Sequence, residues 1–265
     1  MKNYRRAFLV VGLVFIAVVP SFGQQRLFVV GGGDRPVDGM KKFVEWSGGP
    51  NAKLLMITWA SGVPDESFEA LKKGFGQFPH SSIEHAAIRP LDAVKRAKFI
   101  EQLKTATGVF FSGGDQNRIM DVLADEELLR LIREKYAKGT PFGGTSAGAA
   151  AISDPMMTGD ADLKILDGSK VGVRKGLGLL PNVIFDQHFL VRQRHNRLLG
   201  LVMQYPKMLG VGIDEDTAVL VEDNRKLTVI GATKVIFVHA TRSNKEFALA
   251  ILGPNETFDL KKRRP

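Results

Sequence analysis

The sequence predicts an α/β protein, a three-layer sandwich built on a mainly parallel sheet with antiparallel strands toward the C-terminus. Three observations carry this. From Arg26 onward, short β-branched runs alternate with longer helical patterns. The strands are continuously apolar rather than alternating, as strands covered on both faces must be. Beyond Gly210 the strands follow one another over short turns, the spacing of hairpins rather than of crossover helices.

Taken in order, "RLFVVGGG" at 26–33 is a strand ended by glycines, followed by a helical pattern over 36–47. "KLLMITWASG" then leads to a helix over 65–76, and "IEHAAI" to one over 92–105. "GVFFSGG" precedes a helical stretch over 116–138 that is expected to break near Asp125. A short strand runs into "GTSAG" and a helical "AAAI". "NVIFDQHF" is a further strand, with the helical "LVRQRHNRLLGLVMQ" directly after it. "GVGID", "TAVLVED", "KLTVIGA", "KVIFVHA" and "FALAILG" close the chain as strands expected to form antiparallel hairpins appended to the parallel sheet. No linker or repeat interrupts residues 24–265, which are expected to form one domain.

The first 23 residues differ in composition. Lys2, Arg5 and Arg6 precede an apolar run from Ala7 to Val19, and Ser21 and Gly23 supply the small residues of a cut before Gln24. This is the pattern of a secretory signal peptide, with an uncleaved anchor as the alternative, and it predicts a periplasmic or extracellular protein without stable membrane association after cleavage. Its removal takes three of the nine net positive charges and leaves +6. The terminal "KKRR" reads as a solvated tail with no interleaved aromatics, so nucleic acid is not an expected partner. The chain has no cysteine, which excludes disulfides, thiol catalysis and Cys-based metal sites.

Parallel sheets place functional loops at the carboxyl ends of their strands. The first such loop, Gly31-Gly32-Gly33-Asp34, fails the dinucleotide pattern at Pro36 and is expected to be a tight turn. The second, "FFSGGDQ", ends in Asp115 and Gln116, either ligand-facing or a plain helix cap. The third, "GTSAG" at 144–148, fits G-x-S-x-G, in which glycines allow the serine to sit on a strained strand-to-helix turn. A serine needs a base, and His188 is the histidine placed at a strand exit. It needs a carboxylate behind the base as well, and Asp214, Glu215 and Asp216 stand together at another strand end, unranked by spacing. Arg192, Arg194 and Arg197 follow His188, with Arg194 and Arg197 on one helical face, a set suited to carboxylates or simply to solvent.

Together "FSGGDQ", "GGTSAGAA", "DQHFLVRQRHNRL" and "GVGIDEDTA", in this order, resemble the cyanophycinase family, which also contains peptidase E, the aspartyl dipeptidase. The resemblance implies a flavodoxin-like, class I amidotransferase-like sheet. It implies Ser146 as nucleophile, His188 as base and Glu215 as the acid, with oxyanion donors at Gly114 and Ala147. It implies a substrate site lined by Gln116, Asp186, Gln187, Arg192, Arg194 and Arg197, no metal or organic cofactor, an Asp- and Arg-rich peptide as substrate, and a homodimer. Gln193 stands where the family often has glycine, and residues 154–176 are not aligned with the family's motifs; they are expected to form a lid or pocket rim. The alternatives are a related aspartyl or isoaspartyl dipeptidase and a non-catalytic binder of acidic or arginyl polymers.

Overall fold

The computed structural model describes residues 24–241 and 246–265. The proposed signal segment therefore lies outside the described residues. Five parallel strands form the spine: β1 (Arg26–Val30), β2 (Lys53–Ile57), β3 (Ser82–His85), β4 (Gly108–Phe111) and β5 (Phe142–Thr145). The continuous apolar character of β1, β2 and β4 is explained by the two cores they divide, whereas β3, at the sheet edge, carries Ser82, Glu84 and His85. Leu27 and Val29 of β1 face one core while Phe28 and Val30 face the other, and β2 splits Leu55 and Ile57 from Leu54 and Met56 in the same way. Alternate side chains of a strand point to opposite faces, so with both faces covered every position must be apolar.

Helices α1 (Val37–Trp46) and α2 (Pro64–Phe75) cover one face through Phe43, Val44, Leu71 and Phe75. The other face takes α3 (Ala93–Thr105), α4 (Gln116–Val122), α5 (Glu126–Ala137) and α6 (Ala147–Ala151). The expected break at Asp125 is present, because its carboxylate accepts from the N–H groups of Glu127 and Leu128 and so starts α5.

A two-stranded arm follows, β6 (Met156–Ala161) and β7 (Val171–Arg174), and then β8 (Val183–Asp186) and α7 (His195–Gln204). The closing strands are β9 (Leu209–Ile213), β10 (Thr217–Glu222), β11 (Lys226–Gly231), β12 (Val235–Ala240), β13 (Phe247–Leu252) and β14 (Thr257–Asp259). They do not all extend the parallel sheet. β10, β11 and β14 join it antiparallel, giving the order β14-β11-β10-β1-β5-β4-β2-β3, whereas β9, β12 and β13 pair with β8 in a separate four-stranded sheet ordered β13-β12-β9-β8. Short loops say that strands are near neighbours but not which sheet each joins. The three residues between β9 and β10 include Asp216 at φ 55, and there the chain leaves one sheet for the other. Val183, Phe185, Val211 and Phe237 of the second sheet pack into the core shared with α3 to α6, and α7 covers its far side through Leu198, Leu201 and Val202.

The C-terminal "KKRR" is not a free tail. The Asp259 carboxylate accepts from the N–H groups of Lys261 and Lys262, and Arg264 bridges back to Asp259.

Candidate active site

Ser146 stands between β5 and α6 with φ 52 and ψ −112, a conformation that costs an ordinary side chain about 1–3 kcal/mol and persists only where surroundings enforce it. The enforcement is visible. A Cβ on Gly144 would lie 2.4 Å from the Gly148 carbonyl carbon, and one on Gly148 would lie 2.5 Å from the Phe111 oxygen. The turn therefore closes only because these positions lack side chains, which is the physical content of the G-x-S-x-G spacing.

Ser146 Oγ lies 2.9 Å from His188 Nε2, and His188 Nδ1 lies 2.5 Å from Glu215 Oε1. A carboxylate only accepts, so Nδ1 carries the proton and leaves the Nε2 lone pair facing the serine hydroxyl. Burial pushes the His188 imidazole below its ordinary value. The Glu215 hydrogen bond opposes that shift, while Arg192 and Arg194 reinforce it. The ring is thus held neutral, the form able to take a proton.

The three acids have three different jobs. Asp214 accepts from the N–H groups of Leu190 and Val191, both at 3.0 Å, and fixes the turn after His188. Glu215 meets the imidazole. Asp216 accepts from Asp34 N–H at 2.6 Å and its own N–H donates to Gly32, tying down the first glycine loop.

That first loop is more than the tight turn expected of it. His188 N–H donates to the Gly31 carbonyl at 2.7 Å, and a Cβ on Gly32 would lie 2.2 Å from His188 Cε1. The loop forms the seat of the histidine. The sequence marks Gly31 and Gly32 only as a turn and leaves Asp214 and Asp216 unranked beside Glu215, because each acts through a partner far away in the chain.

The "SGGDQ" loop meets Ser146 from the opposite side, with Gly113 3.4 Å from the Ser146 Cβ at the point where its own Cβ would be. Among the described residues, the N–H groups of Gly113, Gly114 and Ala147 meet no backbone acceptor. Asp115 caps α4 through Asn117 N–H at 2.9 Å, as its plainer reading held. Gln116 is buried and donates to the Met157 carbonyl at 2.8 Å, which fastens the β6–β7 arm over α4.

The helix expected directly after His188 is not formed over its first five residues. His188 and Gln193 adopt φ 48 and 52, and the chain makes turns until α7 begins at His195. Arg194 and Arg197 do converge, but on Asp186 in the interior. Arg197 Nε donates to Asp186 Oδ2 at 2.8 Å and its Nη2 to Oδ1, with the Asp186 side chain 0% and the Arg197 side chain 3% exposed. Arg194 lies 3.8 Å from the same carboxylate, donates to the Gln187 carbonyl at 2.7 Å, and is pushed down to about 10, mainly by burial. Arg192 alone of the three is exposed. Gln187 is buried, and its Oε1 has no protein partner among the described residues. The model for peptidase family S51 matches residues 27–229. The chain belongs to that family. It is a serine peptidase.

Among its relatives, the cyanophycinase of Trichormus variabilis is 33% identical over 226 residues, covering 84% of this chain and 76% of that one. A peptidase E from a Nostoc species is 28% identical over 154 residues, 55% of this chain and 61% of that one. The solved structure of a peptidase from an acI-B1 actinobacterium superposes with a TM-score of 0.69 at 22% identity, over 90% of this chain and 97% of that one, and shows that the fold is shared. Among the described residues no helix is long and apolar enough to cross a membrane.

Proposed function

We propose that this S51 peptidase is exported after loss of residues 1–23 and hydrolyses cyanophycin, the polyaspartate that carries arginine on its side chains, to β-Asp-Arg dipeptides. The observation that carries the reading is the line from Ser146 through His188 to Glu215. His188 Nε2 takes the Ser146 proton as Oγ attacks the carbonyl next to an aspartyl residue. The imidazolium formed is stabilised by Glu215 and returns the proton to the leaving amine. Water then attacks the acyl carbon and gives a proton to His188, which passes it to Oγ as the acyl group leaves as the acid and free Ser146 is restored. Unpartnered N–H groups at Gly114 and Ala147 serve the oxyanion in both steps, each worth roughly 3–4 kcal/mol of transition-state stabilisation.

The substrate-facing roles divide unequally. Arg192, exposed beside His188, is suited to a substrate carboxylate, and Gln187 Oε1 is an acceptor without a partner. Asp186, Arg194 and Arg197 are occupied with one another, which supports a role in holding the β8 exit and His188 rather than direct contact. The buried Gln116 amide holds the 154–176 arm, which then forms the rim over the cleft. A homodimer is inferred from the family resemblance, and size-exclusion chromatography tests it.

The sharing of the family with peptidase E favours one second reading, an aspartyl or isoaspartyl dipeptidase. Incubation with cyanophycin granules and, separately, with Asp-X dipeptides, with products identified by mass spectrometry, decides between them. Dipeptide release from granules supports the first reading; turnover of Asp-X alone overturns it.

A further inference from the structure

A cavity lies at the carboxyl ends of the parallel strands, as Ser146 does, on the other flank of the 113–118 segment. Its volume is about 490 Å³, within the range of small-ligand sites, and Pro90, Leu91, Val122 and Leu128 give it an apolar floor. Three arginines line it, and two of them, Arg89 and Arg118, are not bonded to its aspartates. Arg89 uses Nε and Nη2 on the carbonyls of Trp59 and Ser61, at 2.8 and 3.3 Å, and has no carboxylate within 4.0 Å among the described residues. Arg118 lies against Gly62, 3.5 Å from where a Cβ there would be, with Asp115 no nearer than 3.7 Å.

The acids of this cavity are already engaged. Asp125 bonds Arg96 at 2.6 Å and caps α5, and Asp121 pairs with Arg174 at 3.0 Å. Three arginines thus face two aspartates on the lining; Arg118, loosely paired with Asp115, presents a forked donor, the geometry that selects carboxylates, and Arg89 has only Nη1 left to offer. Gly113 abuts Ser146 and Arg118 follows five residues later, so at most about 17 Å of chain separates the two walls, the reach of roughly five extended residues.

We propose that this cavity is a carboxylate-binding subsite for the part of an extended acidic substrate that lies beyond the scissile bond. The proposal rests on the peptidase reading above for its use, though not for its binding chemistry. Arg118 and Arg89 take the carboxylate, and the apolar floor takes the aliphatic stem.

The test uses the full exported chain in two arms. In a Ser146→Ala background, N-acetyl tetra-aspartate is titrated by calorimetry. Arg118→Gln is expected to weaken its binding about tenfold, Arg118→Lys by less, and tetra-asparagine is expected to bind to neither. In the active protein, Arg118→Gln is expected to raise KM for the polymer about tenfold while leaving kcat, and the KM of an Asp-X dipeptide, unchanged. Equal tetra-aspartate affinity with and without Arg118 overturns the proposal, and so does an equal loss on polymer and dipeptide, which would mean that Arg118 acts only by holding Asp115. A wild-type chain that cleaves neither substrate counts against the peptidase reading and leaves the calorimetry to decide the subsite.

Discussion

Replacing Arg197 by methionine tests whether the pair Arg194 and Arg197 serves the interior or the substrate. The Asp186 side chain is fully buried and accepts two N–H groups from Arg197, so the variant leaves a carboxylate with only the more distant Arg194 at 3.8 Å. Removing one partner of a buried pair costs about 3–5 kcal/mol, because the desolvated charge remains without its compensation. For a domain of this size each kcal/mol moves the melting temperature by about 2–4 °C, so Tm is expected to fall by about 6–20 °C. Differential scanning calorimetry reads this directly. Adding Asp186→Leu to the same chain is expected to recover most of the loss, since two apolar groups replace the pair and no buried charge remains. An Arg197→Met protein that melts within about 2 °C of wild type while its substrate KM rises would refute the reasoning and return Arg197 to the substrate site.

Other consequences follow from the same geometry. Ser146→Ala is expected to lower kcat/KM by roughly 10⁴-fold or more, with Tm no lower than wild type, as measured by product release. Because His188 must be neutral to act and burial places it below its ordinary value, kcat/KM should hold through pH 6.5 and fall at more acid pH. The acid limb should move in opposite directions in two variants. Glu215→Gln removes the partner that raises the imidazole and shifts the limb to lower pH, with kcat down by about 10⁴; Arg192→Gln removes a repelling cation and shifts it to higher pH. Shifts of the same sign in pH-rate profiles would contradict the arrangement. Gly32→Ala places a Cβ 2.2 Å from His188 Cε1 at a position with φ +125, so the ring must move. About 1 Å of misplacement costs on the order of 10² in kcat, and a kcat equal to wild type would show that the loop is not the seat of the histidine.

The sequence by itself determined the layered α/β architecture, the break at Asp125 and the serine turn. These depend on local rules: continuous apolar runs need two covered faces, Asp caps a helix, and glycine alone fits the turn around Ser146. It could place His188 at a strand exit for the same reason. Tertiary structure alone decided what pairs with what. Asp214, Glu215 and Asp216 are adjacent and chemically alike, and only the turn between two sheets sends one to the 190–191 amides, one to the imidazole and one to the glycine loop. The helical pattern after His188 was real only from His195, because a carboxylate 24 residues later caps a turn that local propensity cannot foresee. Arg197 is a surface cation by composition and a buried one by position, since the choice between water and Asp186 is made by the strand that β8 brings beneath α7. Local conformation is set by neighbours a few residues away, whereas the partner of a charge is set by packing, and packing belongs to the whole chain.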